Sequence, residues 1–148
     1  MEFSGNFQLQ KKSETVLEIF KNPESIGKCL YGLESISFNE NDFACKVRFD
    51  LSSADVSYMS SISGKLKGHL SFRDDGFELA GDGRAAGSKM VFHLNVLVES
   101  GENESNILWN GTFDFGLIAK VMGVEKVRKI AQENIEKTIE NLKASVME

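Results

Sequence analysis

From Glu2 to Gln10, apolar and polar residues alternate. Phe3, Gly5, Phe7 and Leu9 fall on one side and Ser4, Asn6, Gln8 and Gln10 on the other. A period of two is that of a half-buried strand. It returns over Leu33–Phe38, Phe43–Leu51, Ile62–Phe72, Phe77–Gly83, Met90–Val98 and Ile107–Phe115. Turn chemistry separates these runs at Asn39-Glu-Asn-Asp, Asp74-Asp-Gly, Ala85-Ala-Gly and Gly101-Glu-Asn-Glu, with a connection over Ser52–Ser57. Between the first two strands lie two short helices. Ser13 is placed to cap one, with Val16, Leu17 and Phe20 as its apolar side; Asn22-Pro23-Glu24 starts the other. From Leu117 to Val146 the apolar period changes to steps of three and four, predicting a single helix roughly 45 Å long. No second long helix is present to pair with it, so its apolar stripe must lie against the sheet.

The expected fold is α+β and a single domain over 1–148. A curved antiparallel sheet of about six or seven strands wraps the long C-terminal helix, and two short helices follow strand one. Glycines at 64, 68, 83 and 111 sit on strands, where missing side chains are expected to permit bends and leave space inside.

Composition narrows the function. Hydrophobic residues at 41%, charged residues at 26% and one proline describe an ordinary globular chain. A net charge of −5 does not favour nucleic acid. No basic stretch followed by an apolar run opens the chain, and no apolar run approaches the ~20 residues of a membrane span. A cytoplasmic protein is expected, with Cys29 and Cys45 as reduced thiols lacking metal-type spacing.

The inward registers contain Phe, Leu, Ile, Val, Met, Trp, Cys and Gly, but no Asp, Glu, Lys, Arg or His. Acid–base catalysis needs positioned titratable groups. His69 and His93 both fall on outward registers. No nucleophile elbow is present, and Gly81–Gly87 lacks the Lys-Ser/Thr pair of a phosphate loop. No catalytic residue, metal ligand or cofactor is therefore expected. The residues placed to line a cavity are Phe7, Val47, Phe49, Leu66, Phe92, Leu94, Trp109, Phe113, Leu117, Val121 and Met122. The same residues are equally suited to closing on one another as a packed core. Met59, Met90 and Met122 fit either a plastic pocket or ordinary core. Outside, Lys65 and Lys67, with Arg48 and Lys46 on a neighbouring strand, form either a basic patch or a solvated strand face.

Several segments carry a family resemblance: the opening Phe3-Ser-Gly-Asn-Phe; Asn22-Pro-Glu-Ser-Ile-Gly-Lys-Cys-Leu-Tyr-Gly-Leu-Glu-Ser-Ile; Gly64-Lys-Leu-Lys-Gly; Gly81-Asp-Gly-Arg-Ala-Ala-Gly-Ser; and Leu108-Trp-Asn-Gly followed by Phe115-Gly-Leu-Ile-Ala. In this order the chain resembles the CoxG family of carbon monoxide dehydrogenase subunits, within the helix-grip ligand-binding domains that include START and birch-pollen-allergen-like proteins. Tyr31 departs from the pattern, standing where the family usually has proline. The resemblance implies a helix-grip fold, an internal apolar cavity, an association with a molybdenum-hydroxylase-type enzyme, and peripheral contact with the inner face of the membrane. Three readings follow. The first is a non-enzymatic binder of a hydrophobic or amphipathic small molecule of the lipid or quinone class. The second is an assembly or recruitment factor acting through its surface on an oxidoreductase. The third is a hydrolase or cyclase, which would need a charged residue inside.

Overall fold

Seven strands form one antiparallel sheet in the order β1-β7-β6-β5-β4-β3-β2 in the computed structural model, which describes residues 1–51 and 61–146. The chain runs β1 (Glu2–Leu9), α1 (Ser13–Phe20), α2 (Pro23–Gly27), β2 (Leu33–Asn39), β3 (Asp42–Asp50), β4 (Ser61–Arg73), β5 (Gly76–Ala85), β6 (Ser88–Ser100), β7 (Ser105–Asp114), α3 (Leu117–Met122) and α4 (Val124–Val146). Strands β2 to β7 form an antiparallel meander, each pairing with the next in the chain. The turn between β5 and β6 places Ala86 at φ 51° and Gly87 at φ 76°, the paired left-handed geometry that suits a two-residue hairpin. Strand β1 adds to β7, with Phe3 opposite Gly111 and Phe7 opposite Ile107. The expected connection at Ser52–Ser57, and Met59, lie outside the described residues.

Asn22 caps α2 as its sequence suggests, accepting a hydrogen bond from Glu24 N at 3.1 Å, with Pro23 in the first turn. Ser13 does not cap α1. Lys12 occupies that position without a side-chain bond, and Ser13 Oγ instead meets Ser100 Oγ at 2.8 Å, tying α1 to the end of β6.

The C-terminal helix is broken rather than continuous. Gly123, at φ 97° and ψ 141°, separates α3 from α4. That conformation is open to glycine and strained for other residues. Helix α4 has 23 residues, about 35 Å at the usual rise. It is held from both sides of the curled sheet. On the β1 side, Arg128 lies over the Phe3 ring at 5.3 Å and Lys143 over Phe7 at 5.6 Å. On the β2 side, Tyr31 N–H donates to Thr138 Oγ1 at 3.1 Å and Asn141 Nδ2 to the Cys29 carbonyl at 3.2 Å. The Tyr31 bond gives the departure from proline a structural role, since proline has no N–H to donate.

The two ends of α4 are buried in different clusters. Val146 joins Phe7, Leu9, Val16, Phe20, Leu70, Phe77, Val96, Val98 and Ile107 beneath α1. At the other end Ile130 packs with Leu51, Ile62, Ala85 and Met90.

Candidate functional site

Between these clusters the helix and the sheet do not meet. A cavity of about 310 Å³ lies there, lined almost wholly by apolar atoms. Small-molecule sites are typically concave and apolar with a few placed polar groups. Of the residues read as lining from the sequence, Phe7, Val47, Phe49, Leu66, Phe92, Leu94, Trp109, Phe113 and Met122 are on its wall. Leu117 and Val121 are not: they are 60% and 74% exposed on α3. They belonged to the apolar stripe only for an unbroken helix. The break at Gly123 turns α3 so that Ile118 and Met122 face inward instead.

The strand glycines do not leave open space directly above them. On the inner face most stand opposite a large side chain that leans over them. Phe43 is opposite Gly68, Leu66 opposite Gly83, and Trp109 opposite Gly5. A Cβ on Gly68 would come within 2.6 Å of the Phe43 ring, and one on Gly5 within 2.9 Å of the Trp109 indole. Glycine thus lets each ring lie along the sheet instead of standing up into the cavity. The open volume begins beyond those rings.

The wall is not entirely apolar. Helix α4 presents Asn134 and Thr138, and Tyr31 faces them from the loop before β2. Asn134 Nδ2 donates to the Ile130 carbonyl at 2.8 Å, whereas its Oδ1 is buried without a partner. Trp109 Nε1, on the sheet side, is likewise buried and unpartnered. Such atoms normally find a hydrogen bond. Sequence reading missed Asn134. Its signal was that Asn134 and Thr138 follow Ile130 at four-residue steps, beside the apolar stripe.

No Asp, Glu, Lys, Arg or His lines the cavity among the described residues. The titratable wall groups are Cys29 and Tyr31, and both are engaged. Cys29 Sγ donates to the Ser25 carbonyl at 3.4 Å, and burial pushes its thiol above the ordinary range. Lys137 Nζ donates to the Tyr31 hydroxyl at 3.3 Å, a bond that holds the ammonium proton more tightly than usual. His69 and His93 are exposed on the outer face as the register predicts, beside Asp42 at 2.6 Å and Glu78 at 3.9 Å. Among the described residues no cluster of three His, Cys, Asp or Glu is arranged for a metal, and no helix is long and apolar enough to cross a membrane.

A curled antiparallel sheet that closes around one C-terminal helix with an apolar cavity between them is a helix-grip fold, the fold of START-like structures. Solved structures share it end to end. A conserved protein from Geobacillus kaustophilus aligns at TM-score 0.84 with 11% identity, over 99% of this chain and 95% of its own. A START superfamily protein from Mycobacterium smegmatis aligns at 0.67 with 11% identity, over 99% and 97%. An aromatase/cyclase from Streptomyces sp. R1128 aligns at 0.67 with 7% identity, over 99% and 93%. At such identities the likeness concerns the fold. The chain belongs to the CoxG family of carbon monoxide dehydrogenase subunits, whose model matches residues 5–147. No curated protein matches it in sequence.

Proposed function

We propose that this protein binds a hydrophobic or amphipathic small molecule of the lipid or quinone class, without catalysis, in the cavity between the sheet and α4. The observation that carries this reading is the 310 Å³ apolar cavity between the sheet and α4. A ligand with an apolar body and a small polar end suits a wall whose polar side chains are Asn134, Thr138 and Tyr31. The non-enzymatic part of the reading is supported by the engaged state of Cys29 and Tyr31 and by the absence of other titratable groups on the described wall.

Family membership supports an accessory role beside a molybdenum hydroxylase of the carbon monoxide dehydrogenase type, in the cytoplasm. The apolar residues left outside by the helix break, Leu117, Val121 and Val124, support peripheral contact with a membrane's inner face near the cavity rim.

The test is native mass spectrometry of the purified protein, then organic extraction and mass analysis of what is released. An added mass matching an amphipathic lipid or quinone is the expected result. If apo protein does not take up added quinone or lipid at micromolar concentration, the reading fails.

A further inference from the structure

The outer face of the sheet, opposite α4, carries charge in an ordered way. Several charged groups on that face meet their opposites. Arg48 Nε lies 3.3 Å from Glu34, His69 Nδ1 2.6 Å from Asp42, and Arg73 Nη1 3.0 Å from Glu78; Lys67 stands opposite Asp82 in register. One row differs. Lys46 is paired directly with Lys65, Lys65 with Arg84, and Arg84 with Lys89, across four adjacent strands. All four are exposed, and among the described residues no ion pair joins any of them to an acid. Arg84 Nη1 donates to the Gly87 carbonyl at 3.3 Å.

Like charges directly opposite on neighbouring strands destabilise a sheet. A fold with net charge −5 has acids enough to neutralise this row, as it does elsewhere on the same face. The row also lies in a shallow trough of about 730 Å³, edged by Ser35 and Ser37 and by Lys67 and Asp82, so that five cations share it with one carboxylate. Adjacent strands set successive cations ~4.8 Å apart. Carboxylates three or four residues apart on a helix are about 5–6 Å apart. The trough and this spacing both favour a single acidic helix laid across the strands.

We infer that the row Lys46–Lys65–Arg84–Lys89 is a docking site for the acidic face of a helix on a partner protein. The inference stands apart from the cavity reading, because the row and the cavity lie on opposite faces of the sheet. A bilayer is less well matched: the row is flanked by serines and Ala44, with the exposed apolar Val91 in the next row, and the larger exposed apolar group lies on α3.

The test is fluorescence anisotropy with a short labelled helical peptide bearing glutamate every three to four residues, titrated with the full chain. Binding should weaken with added salt, and the pair Lys46→Glu and Lys65→Glu should weaken it by roughly tenfold or more. The same charge change at Lys28 and Lys126 should have little effect. Melting temperature should stay level or rise in Lys46→Gln and Lys65→Gln, because repulsion is relieved. The inference is overturned if reversal at Lys28 and Lys126 weakens binding equally, or if the melting temperature falls. It is also overturned if phosphatidylglycerol vesicles or a single-stranded oligonucleotide bind through Lys46 and Lys65 while the peptide does not.

Discussion

The two halves of the sheet's inner face are built from the same residue types and end differently. Beneath α1, Leu9, Val16, Leu70 and Val98 are nearly or fully buried and belong to one cluster with Val146. A few residues along the same strands, Leu66, Phe92, Leu94, Trp109 and Phe113 remain partly accessible around a cavity. Side-chain chemistry does not separate them. The cover does. One end receives α1 and the last turn of α4, which together supply enough apolar surface to fill the space. The middle lies under the body of α4, and the residues that helix presents there include Ala131, Asn134 and Thr138, which are small or polar. A core becomes a site where the covering element is too slight to fill it.

Truncation in the packed half should have the largest effect. Leu9→Ala removes a side chain that is 1% exposed and should cost about 2–5 kcal/mol, read as a lower denaturation midpoint. The comparison breaks if Leu94→Ala, at the cavity wall, costs as much; relaxation into existing space should hold it to roughly half that. Gly123→Ala should cost about 1–2 kcal/mol through its φ of 97° alone, since no atom lies within 4 Å of the added methyl. Asn134→Leu removes a buried unpartnered acceptor. It should leave the fold unchanged or steadier by about 1 kcal/mol while weakening uptake of a hydroxyl-bearing ligand relative to a hydrocarbon probe. Equal weakening of both probes would remove Asn134 from ligand recognition.

The smallest effect concerns pH. Burial raises the thiols of Cys29 and Cys45. In the unfolded chain these groups ionise from roughly pH 8.5, while the folded chain still holds their protons. Stability from this source is complete below that pH and declines above it. Denaturation midpoints from pH 7 to 10 should fall less steeply in Cys29→Ala with Cys45→Ala than in the parent.

Much of this was legible in the chain. Strand alternation such as Phe43-Cys45-Val47-Phe49 declares which side is buried, and a slip of one residue would expose all of it. The helix break was less visible, because the apolar stripe runs through Gly123 without interruption and periodicity does not register a change of direction. Leu117 and Val121 were misplaced for that reason. The strand glycines were read as gaps, yet their role depends on the residue opposite, as with Phe43 over Gly68, and register is set only when strands pair. The cationic row was half legible: Lys46 and Lys65 stand on neighbouring strands, but their direct opposition follows from the register of β3 on β4.

The most direct measurement uses Trp109, the single tryptophan, which lies on the cavity wall. Its fluorescence would be titrated with a short-chain quinone in the parent and in Ala131→Phe, which places a ring into the cavity from α4. Ligand binding in the cavity predicts saturable quenching in the parent and its loss in the variant, with both proteins melting within a few degrees of each other. Saturable quenching of equal strength in a folded Ala131→Phe variant would contradict it, as would a parent whose fluorescence never saturates.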